Sequence, residues 1–219
     1  MERRTLLIKG VWTEELVIQQ PIARAQTATE IVIVPGNPGT ALFYVPFAHE
    51  LHSLLRAQCG VRIITLAGFS PDCAELNAAA GAKTCFNLEE QTQFLIAYLE
   101  AVIAENQAGF AQDGKAASAT KRAPRLVLVA HSIGCHLSIH AAARRPDLNI
   151  VHASLLFPFV RFDLSLPLHA AFRLLFVIHP LVRALLWLLK FLPITAKLAL
   201  IRLFTGASER ASERLRLAH

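Results

Sequence analysis

Residues 125–143, RLVLVAHSIGCHLSIHAAA, contain the strand and the helix that decide the fold of this 219-residue chain. The run RLVLVA has the apolar, β-branched composition of a buried strand, and the run from Gly134 predicts a helix that stops before Pro146. The junction between them reads Ala130, His131, Ser132, Ile133 and Gly134. This is close to the Gly-x-Ser-x-Gly turn that raises a nucleophilic serine above the end of a strand, with alanine in the first position. A serine that only caps the helix is the alternative interpretation.

Apolar runs on either side of this stretch predict further strands and helices. TLLIKGVWTEELVIQQP reads as two short strands, EIVIVPGNPG and VRIITLAG read as buried strands, and IVHASLLFPFV reads as a further strand. FYVPFAHELHSLLRAQCG predicts a helix that stops at Gly60, and NLEEQTQFLIAYLEAVIA a helix capped by Asn87 and Glu90. Residues 105–124 lack periodicity and predict a flexible loop. The alternation of strands and helices predicts an α/β core over residues 1–165, with a mostly parallel sheet and helices on both faces.

The last quarter of the chain differs from the rest in charge and hydropathy. The whole chain is 54% apolar and 17% charged, with a mean hydropathy of +0.43. Residues 166–219 hold eight basic and two acidic side chains, so the net charge of +6 lies entirely there. Cations set among Leu, Phe and Trp suit an anionic lipid surface better than nucleic acid, which we do not expect as a partner. We predict an apolar, basic helical lid or membrane-association region at 166–205 and a polar tail at 206–219.

Three residues of the apolar region are candidate lid or membrane contacts. Arg183 and Lys190 are seven residues apart and fall on nearly one helical stripe. Trp187 lies between them among leucines. A helix this apolar must be covered by protein or by lipid.

Several other classes of protein are disfavoured by the sequence. No uncharged run reaches the length of a membrane-spanning helix, and the apolar run of MERRTLLIKG stops at Lys9, so we expect no signal peptide. The four cysteines show no Cys-x-x-Cys pair, and we expect reduced thiols in an intracellular protein. His136 and His140 have the spacing of a metal pair but no acidic third ligand, so we predict no metal. No glycine pattern for a dinucleotide or nucleoside triphosphate is present, and we predict no cofactor.

An acyl-transfer site also needs two donors for the oxyanion. The backbone N–H of Ile133, directly after the serine, is one candidate. The loop VPGNPG follows an earlier strand and places Asn37 to offer the second N–H, while Gly36 and Gly39 let the chain turn close to the site. A simple tight turn is the alternative interpretation of this loop.

The motifs together resemble the lipid droplet-associated hydrolase family. IVIVPGNPG with FYVPFA, then FNLEEQTQFLIAYL, LVLVAHSIG and LLFPFV followed by apolar helices, extend the resemblance over roughly residues 31–205. It implies an α/β-hydrolase fold, Ser132 as the nucleophile and a lid formed after Pro158. It also implies association with lipid droplets and the cytosolic face of the endoplasmic reticulum. The implied substrates are neutral lipid esters of the sterol-ester or acylglycerol type.

The resemblance leaves the base and acid of a serine hydrolase unassigned. This fold places them after later strands, and the family has them on a segment that this chain lacks, so we expect the C-terminal strands to be missing. Asp163 with His169 or His179 is a local substitute, although Asp163 also fits a solvated loop. The alternative function is a non-catalytic droplet or membrane-associated protein that keeps the hydrolase scaffold.

Overall fold

In the computed structural model, six strands among the described residues form one sheet. They are β1 (Glu2–Ile8), β2 (Val11–Ile18), β3 (Thr29–Val34), β4 (Gly60–Ile64), β5 (Arg125–His131) and β6 (Ile150–Leu156). Their order across the sheet is β1-β2-β4-β3-β5-β6. The pairs β1–β2 and β2–β4 are antiparallel, and the pairs β4–β3, β3–β5 and β5–β6 are parallel. The prediction of a mostly parallel sheet is confirmed.

The structure describes residues 1–18, 29–112, 124–160, 174 and 177–205. The chain divides into two compact units, Met1–Arg161 and Phe162–His219. The helices of the first unit are α1 (Val45–Leu54), α2 (Ala74–Ala79), α3 (Leu88–Gln112) and α4 (Ile133–Arg144), with short 3-10 helices at Ala41–Tyr44 and Pro146–Leu148. The second unit contains α5 (His179–Leu189) and α6 (Ile194–Thr205). The predicted boundaries at 165 and 205 stay predictions.

Alternate residues of β3 divide the first unit into two cores. Val32 and Val34 pack in a cluster with residues of α3 and α4, whereas Ile31 and Ile33 pack in a second cluster that includes Ala48 of α1. All four β3 side chains are buried, as a central strand with helices on both faces requires.

The predicted end of α1 at Gly60 is wrong. The helix ends at Leu54, and Arg56 and Ala57 then turn the chain with φ values of 52° and 53°. Gly60 instead opens β4 and pairs with Glu30. A Cβ at Gly60 would lie 2.5 Å from a carboxylate oxygen of Glu30, so this glycine permits a close approach between strands.

The beginning of α3 agrees with the sequence. The backbone N–H of Asn87 donates to Glu90 Oε2 at 2.8 Å, and the N–H of Glu90 donates to Asn87 Oδ1 at 2.9 Å. These reciprocal bonds form the predicted capping box.

The predicted loop at residues 105–124 is wrong in its first part, because α3 continues to Gln112. Glu105 accepts hydrogen bonds from Arg62 Nη1 at 2.7 Å and from Arg4 Nη1 at 2.6 Å. These contacts fix the last part of the helix against the sheet, and apolar periodicity cannot reveal them. Residues 113–123 lie outside the described residues.

Within the described residues, β6 forms one edge of the sheet. Its apolar side chains Val151, Leu155 and Leu156 are between 37% and 42% exposed. Our expectation of further strands beyond this edge stays a prediction.

In the second unit, α5 and α6 lie in the predicted apolar region. Pro180 is the second residue of α5 and lies in its first turn, where a missing N–H costs nothing. No helix in the described ranges combines the length and hydropathy needed to cross a bilayer.

Candidate active site

Ser132 occupies a sharp turn between β5 and α4. Its φ is 50° and its ψ is −117°, a region that residues other than glycine rarely enter. The Ser132 side chain makes no capping hydrogen bond to α4, which argues against its interpretation as a helix cap. A serine with a strained backbone, placed between the end of a strand and the N-terminus of a helix, is typical of the turn that carries a nucleophile.

The backbone of Ser132 is fixed by the last residue of β6 and by the chain that follows this strand. The N–H of Ser132 donates to the carbonyl of Leu156 at 3.0 Å, and its own carbonyl accepts the N–H of Phe159 at 3.1 Å. It also accepts the N–H of Cys135 at 3.1 Å. The unusual backbone conformation is therefore determined by hydrogen bonds on both sides.

Gly134 allows α4 to approach β3. A Cβ at this position would lie 2.5 Å from the carbonyl oxygens of both Val34 and Pro35, so any side chain would push the helix away. The alanine that replaces the first glycine of the pattern, Ala130, is fully buried within β5. Its carbonyl accepts a hydrogen bond from Cys135 Sγ at 3.2 Å, and burial raises the pKa of that thiol.

The loop after β3 lies directly against the serine. A Cβ on Gly36 would be 2.6 Å from His131 Nδ1 and 3.0 Å from Ser132 Cβ. Gly39 is similarly constrained, because a Cβ added at this position would lie 2.8 Å from Leu66 Cβ. The structure therefore brings together the two segments that the sequence analysis singled out.

The two predicted oxyanion donors differ in their surroundings. Ile133 begins α4, so its N–H has no carbonyl partner within the helix. Asn37 is exposed on the loop, and the Asn37–Pro38 peptide bond is cis. Their role as donors stays a prediction.

Sequence reasoning missed Tyr44, which belongs to the FYVPFA motif. The Tyr44 hydroxyl accepts a hydrogen bond from the backbone N–H of Gly36 at 2.8 Å and lies 2.8 Å from His131 Nδ1. Phe157 contacts the His131 ring with its edge, at a centroid separation of 6.1 Å. No spacing rule joins residues so far apart along the chain, and only the resemblance drew attention to this motif.

The histidines near α4 and β6 interact with other groups. His136 Nδ1 donates to the carbonyl of Val160 at 3.1 Å, and its ring lies 4.3 Å from that of His140. His152 Nε2 lies 3.2 Å from the hydroxyl of Ser154. In the part of the chain that the structure describes, no His, Asp or Glu is hydrogen-bonded to the Ser132 side chain. That part also contains no group of three metal-ligating side chains.

The remaining candidates for the base and the acid are not in the first unit. His179 is the first residue of α5 in the second unit. Asp163 and His169 lie outside the described residues.

Comparison with known proteins identifies relatives over most of the chain. The sequence profile of the family described as lipid-droplet associated hydrolase matches residues 27–218. The lipid droplet-associated hydrolase of Mus musculus is 35% identical over 157 residues, which cover 70% of this chain and 44% of that protein. The Homo sapiens protein of the same name is 31% identical over 157 residues, covering 68% and 42%. The chain thus spans less than half the length of these curated relatives.

Solved structures resemble this chain in fold. A fungal esterase from Rhizomucor miehei superposes with a TM-score of 0.51 at 18% identity, covering 78% of this chain and 48% of the esterase. At this identity the likeness concerns the fold alone. The predicted α/β-hydrolase fold is confirmed.

Proposed function

Because the chain belongs to the lipid droplet-associated hydrolase family, we propose that it is a serine hydrolase of neutral lipid esters at the lipid droplet surface. The conformation of Ser132 is the observation that carries this proposal. A strained serine with no capping role, packed against a glycine-rich loop, is the arrangement that acyl transfer uses. Sterol esters and acylglycerols are the proposed substrates.

The proposed reaction uses Ser132 and the two candidate oxyanion donors. Ser132 Oγ attacks the acyl carbon of the ester, and its proton passes to a base. Within the described ranges, that base is not hydrogen-bonded to the Ser132 side chain. The N–H groups of Ile133 and Asn37 stabilise the negative charge on the former carbonyl oxygen. The ester C–O bond then breaks, the alcohol leaves with a proton, and water hydrolyses the acyl-serine to a free fatty acid.

The surface of the second unit supports a location at a lipid surface. Trp187 is 55% exposed and Phe191 is 70% exposed, and their rings are in edge-to-face contact at 4.9 Å. Leu181 is 70% exposed on the same helix as Trp187. The charged side chains among residues 177–205 are all basic, and they include Arg183 and Lys190, which are exposed. Aromatic and apolar groups mixed with cations suit the surface of a droplet or of the endoplasmic reticulum membrane on its cytosolic side.

A second candidate function is a droplet-associated protein without catalysis. The absence of a histidine hydrogen-bonded to Ser132, within the residues that the structure covers, favours this candidate. The exposed apolar surface would serve either function, so activity measurements must decide between them.

Hydrolysis of emulsified cholesteryl oleate and triolein tests the proposal. We expect fatty acid release by the wild type, and a loss of at least about a hundredfold in Ser132→Ala, because the attacking oxygen is removed. Ser138→Ala is the matched control on the same helix, since its buried hydroxyl makes no hydrogen bond among the described residues. It should retain wild-type activity.

Two results contradict the assignment of catalysis to Ser132. Equal release by Ser132→Ala and the wild type would place the reaction elsewhere. No release by a folded wild type that binds the emulsion would favour the non-catalytic candidate.

A further inference from the structure

The hydroxyl of Tyr44 connects the two backbone segments around Ser132. It accepts the N–H of Gly36, in the loop after β3, and it contacts Nδ1 of His131, the residue before the serine. Both distances are 2.8 Å. Tyr44 is partly buried, so water competes less for these bonds than it would at an exposed hydroxyl.

The Tyr44 oxygen accepts the backbone N–H of Gly36, which can only donate. The direction of its bond to His131 Nδ1 depends on the tautomer of the histidine: the Tyr44 hydroxyl donates to an unprotonated Nδ1, and a protonated Nδ1 donates to the hydroxyl oxygen. In both tautomers the hydroxyl links the Gly36 backbone to the ring of the residue before Ser132.

Aromatic contacts fix the His131 ring on two sides. The ring centroid of Tyr44 lies 5.9 Å away and that of Phe157 lies 6.1 Å away, both in edge-to-face geometry. The residue before Phe157 accepts the N–H of Ser132. The turn at Ser132 and the loop at Gly36 are thus joined through one tyrosine.

We propose that Tyr44 is a positioning residue of the oxyanion hole. Its hydroxyl holds Gly36 against the turn, and so fixes the neighbouring N–H of Asn37 relative to Ser132. This inference rests on the proposed function. Preorganised donors are worth most when they cannot move as the charge develops, so loss of the hydroxyl should slow acyl transfer more than it weakens binding.

Tyr44→Phe tests the role, because it removes both hydrogen bonds and keeps the ring contact with His131. We expect kcat for ester hydrolysis, and the rate of Ser132 labelling by a fluorophosphonate probe, to fall about tenfold with KM unchanged. Phe43→Leu is the control in the same 3-10 helix, since Phe43 is 69% exposed and should leave both rates unchanged. Undiminished rates in Tyr44→Phe would overturn the positioning role.

Amide hydrogen exchange at Gly36 tests the contact without any need for activity. The Gly36 amide should exchange about tenfold faster in Tyr44→Phe than in the wild type, and the 15N signal of His131 Nδ1 should shift. Phe43→Leu should match the wild type in both readouts. Equal exchange in all three proteins would overturn the contact. A wild type that reacts with neither ester nor probe contradicts the proposed function, and exchange at Gly36 still decides whether the hydroxyl holds the loop.

Discussion

Two glycines make the close packing around Ser132 possible. Gly36 and Gly134 stand where a Cβ would come within 2.6 Å of a neighbouring atom, on the loop after β3 and in the first turn of α4. The neighbours of Gly134 are main-chain carbonyl oxygens, which cannot rotate away as a side chain can. Gly134 is therefore the less replaceable of the two.

Gly134→Ala should lower the free energy of unfolding by about 2 kcal/mol or more, because the helix must shift away from Val34 and Pro35. Urea unfolding at neutral pH measures this change. Ser138→Ala, farther along the same helix, adds no atom and should change the free energy by less than about 0.5 kcal/mol. A Gly134→Ala protein as stable as the wild type would show that α4 does not need this approach.

Local sequence patterns were sufficient to predict the turn that contains Ser132. The turn at residues 130–134 was visible because its strand, serine and glycine are adjacent in sequence. Tyr44 was not assigned a role, because its bonds join a short helix to a loop and to a distant strand end. Hydrogen bonds between residues far apart in sequence leave no periodic signal.

Helix α3 extends beyond its predicted end because Glu105 on the helix pairs with Arg62, a buried arginine on β4. Arg62 on β4 is 6% exposed and contacts Glu30 at 3.2 Å, Glu15 at 3.3 Å and Glu105 at 2.7 Å. Burial raises the pKa of the Glu30 carboxyl. Burial opposes ionisation of Glu105 too, but hydrogen bonds from Arg62 and Arg4 lower the pKa of its carboxyl below 4.5.

The direction of the pKa shift of Glu105 determines how the stability that this residue contributes depends on pH. Because the pKa of Glu105 is lower in the folded chain, its carboxylate stabilises the fold above pH 4.5 and loses this effect as the pH falls below that value. We expect Glu105→Gln to lower the free energy of unfolding by about 1 kcal/mol at pH 7. The difference from the wild type should shrink as the pH falls below 4.5.

Urea unfolding of both proteins across this pH range checks the expectation. Glu100→Gln is the control, because Glu100 lies on the same helix and pairs with the exposed Arg145. Its effect should stay below about 0.5 kcal/mol at every pH. A Glu105→Gln difference that stays constant with pH would show that the Glu105 carboxylate does not stabilise α3 through these contacts.

Element types were easier to predict than element ends. Apolar periodicity located every strand of the sheet, and the capping box located the beginning of α3. The end of α1 was missed because Arg56 and Ala57 adopt positive φ without a glycine. The extension of α3 was missed because its cause, the pairing of Glu105, is tertiary.

Across the whole molecule, the two units differ in surface chemistry. The first unit holds 14 basic and 13 acidic side chains, whereas the charged side chains in the described part of the second unit are all basic. The strand order was not predictable from periodicity, since β2 pairs with β4 and β3 pairs with β5, which are not consecutive strands. The role of the second unit stays a proposal.

Trp187→Glu should reduce flotation of the protein with phosphatidylserine-containing vesicles by about tenfold or more, because it removes an apolar anchor and adds a repelled charge. Leu54→Glu on α1 is the control, since Leu54 is 71% exposed in the first unit. It should leave flotation unchanged. Equal flotation of Trp187→Glu and the wild type would contradict our assignment of the lipid-binding surface.

Fluorophosphonate labelling followed by peptide mass spectrometry measures whether Ser132 is an activated nucleophile, without a need for the natural substrate. We expect one phosphonylated residue, Ser132, in the wild type and in Ser138→Ala, and no labelling of Ser132→Ala. A folded wild type that remains unlabelled, or one labelled equally after Ser132→Ala, would contradict this expectation.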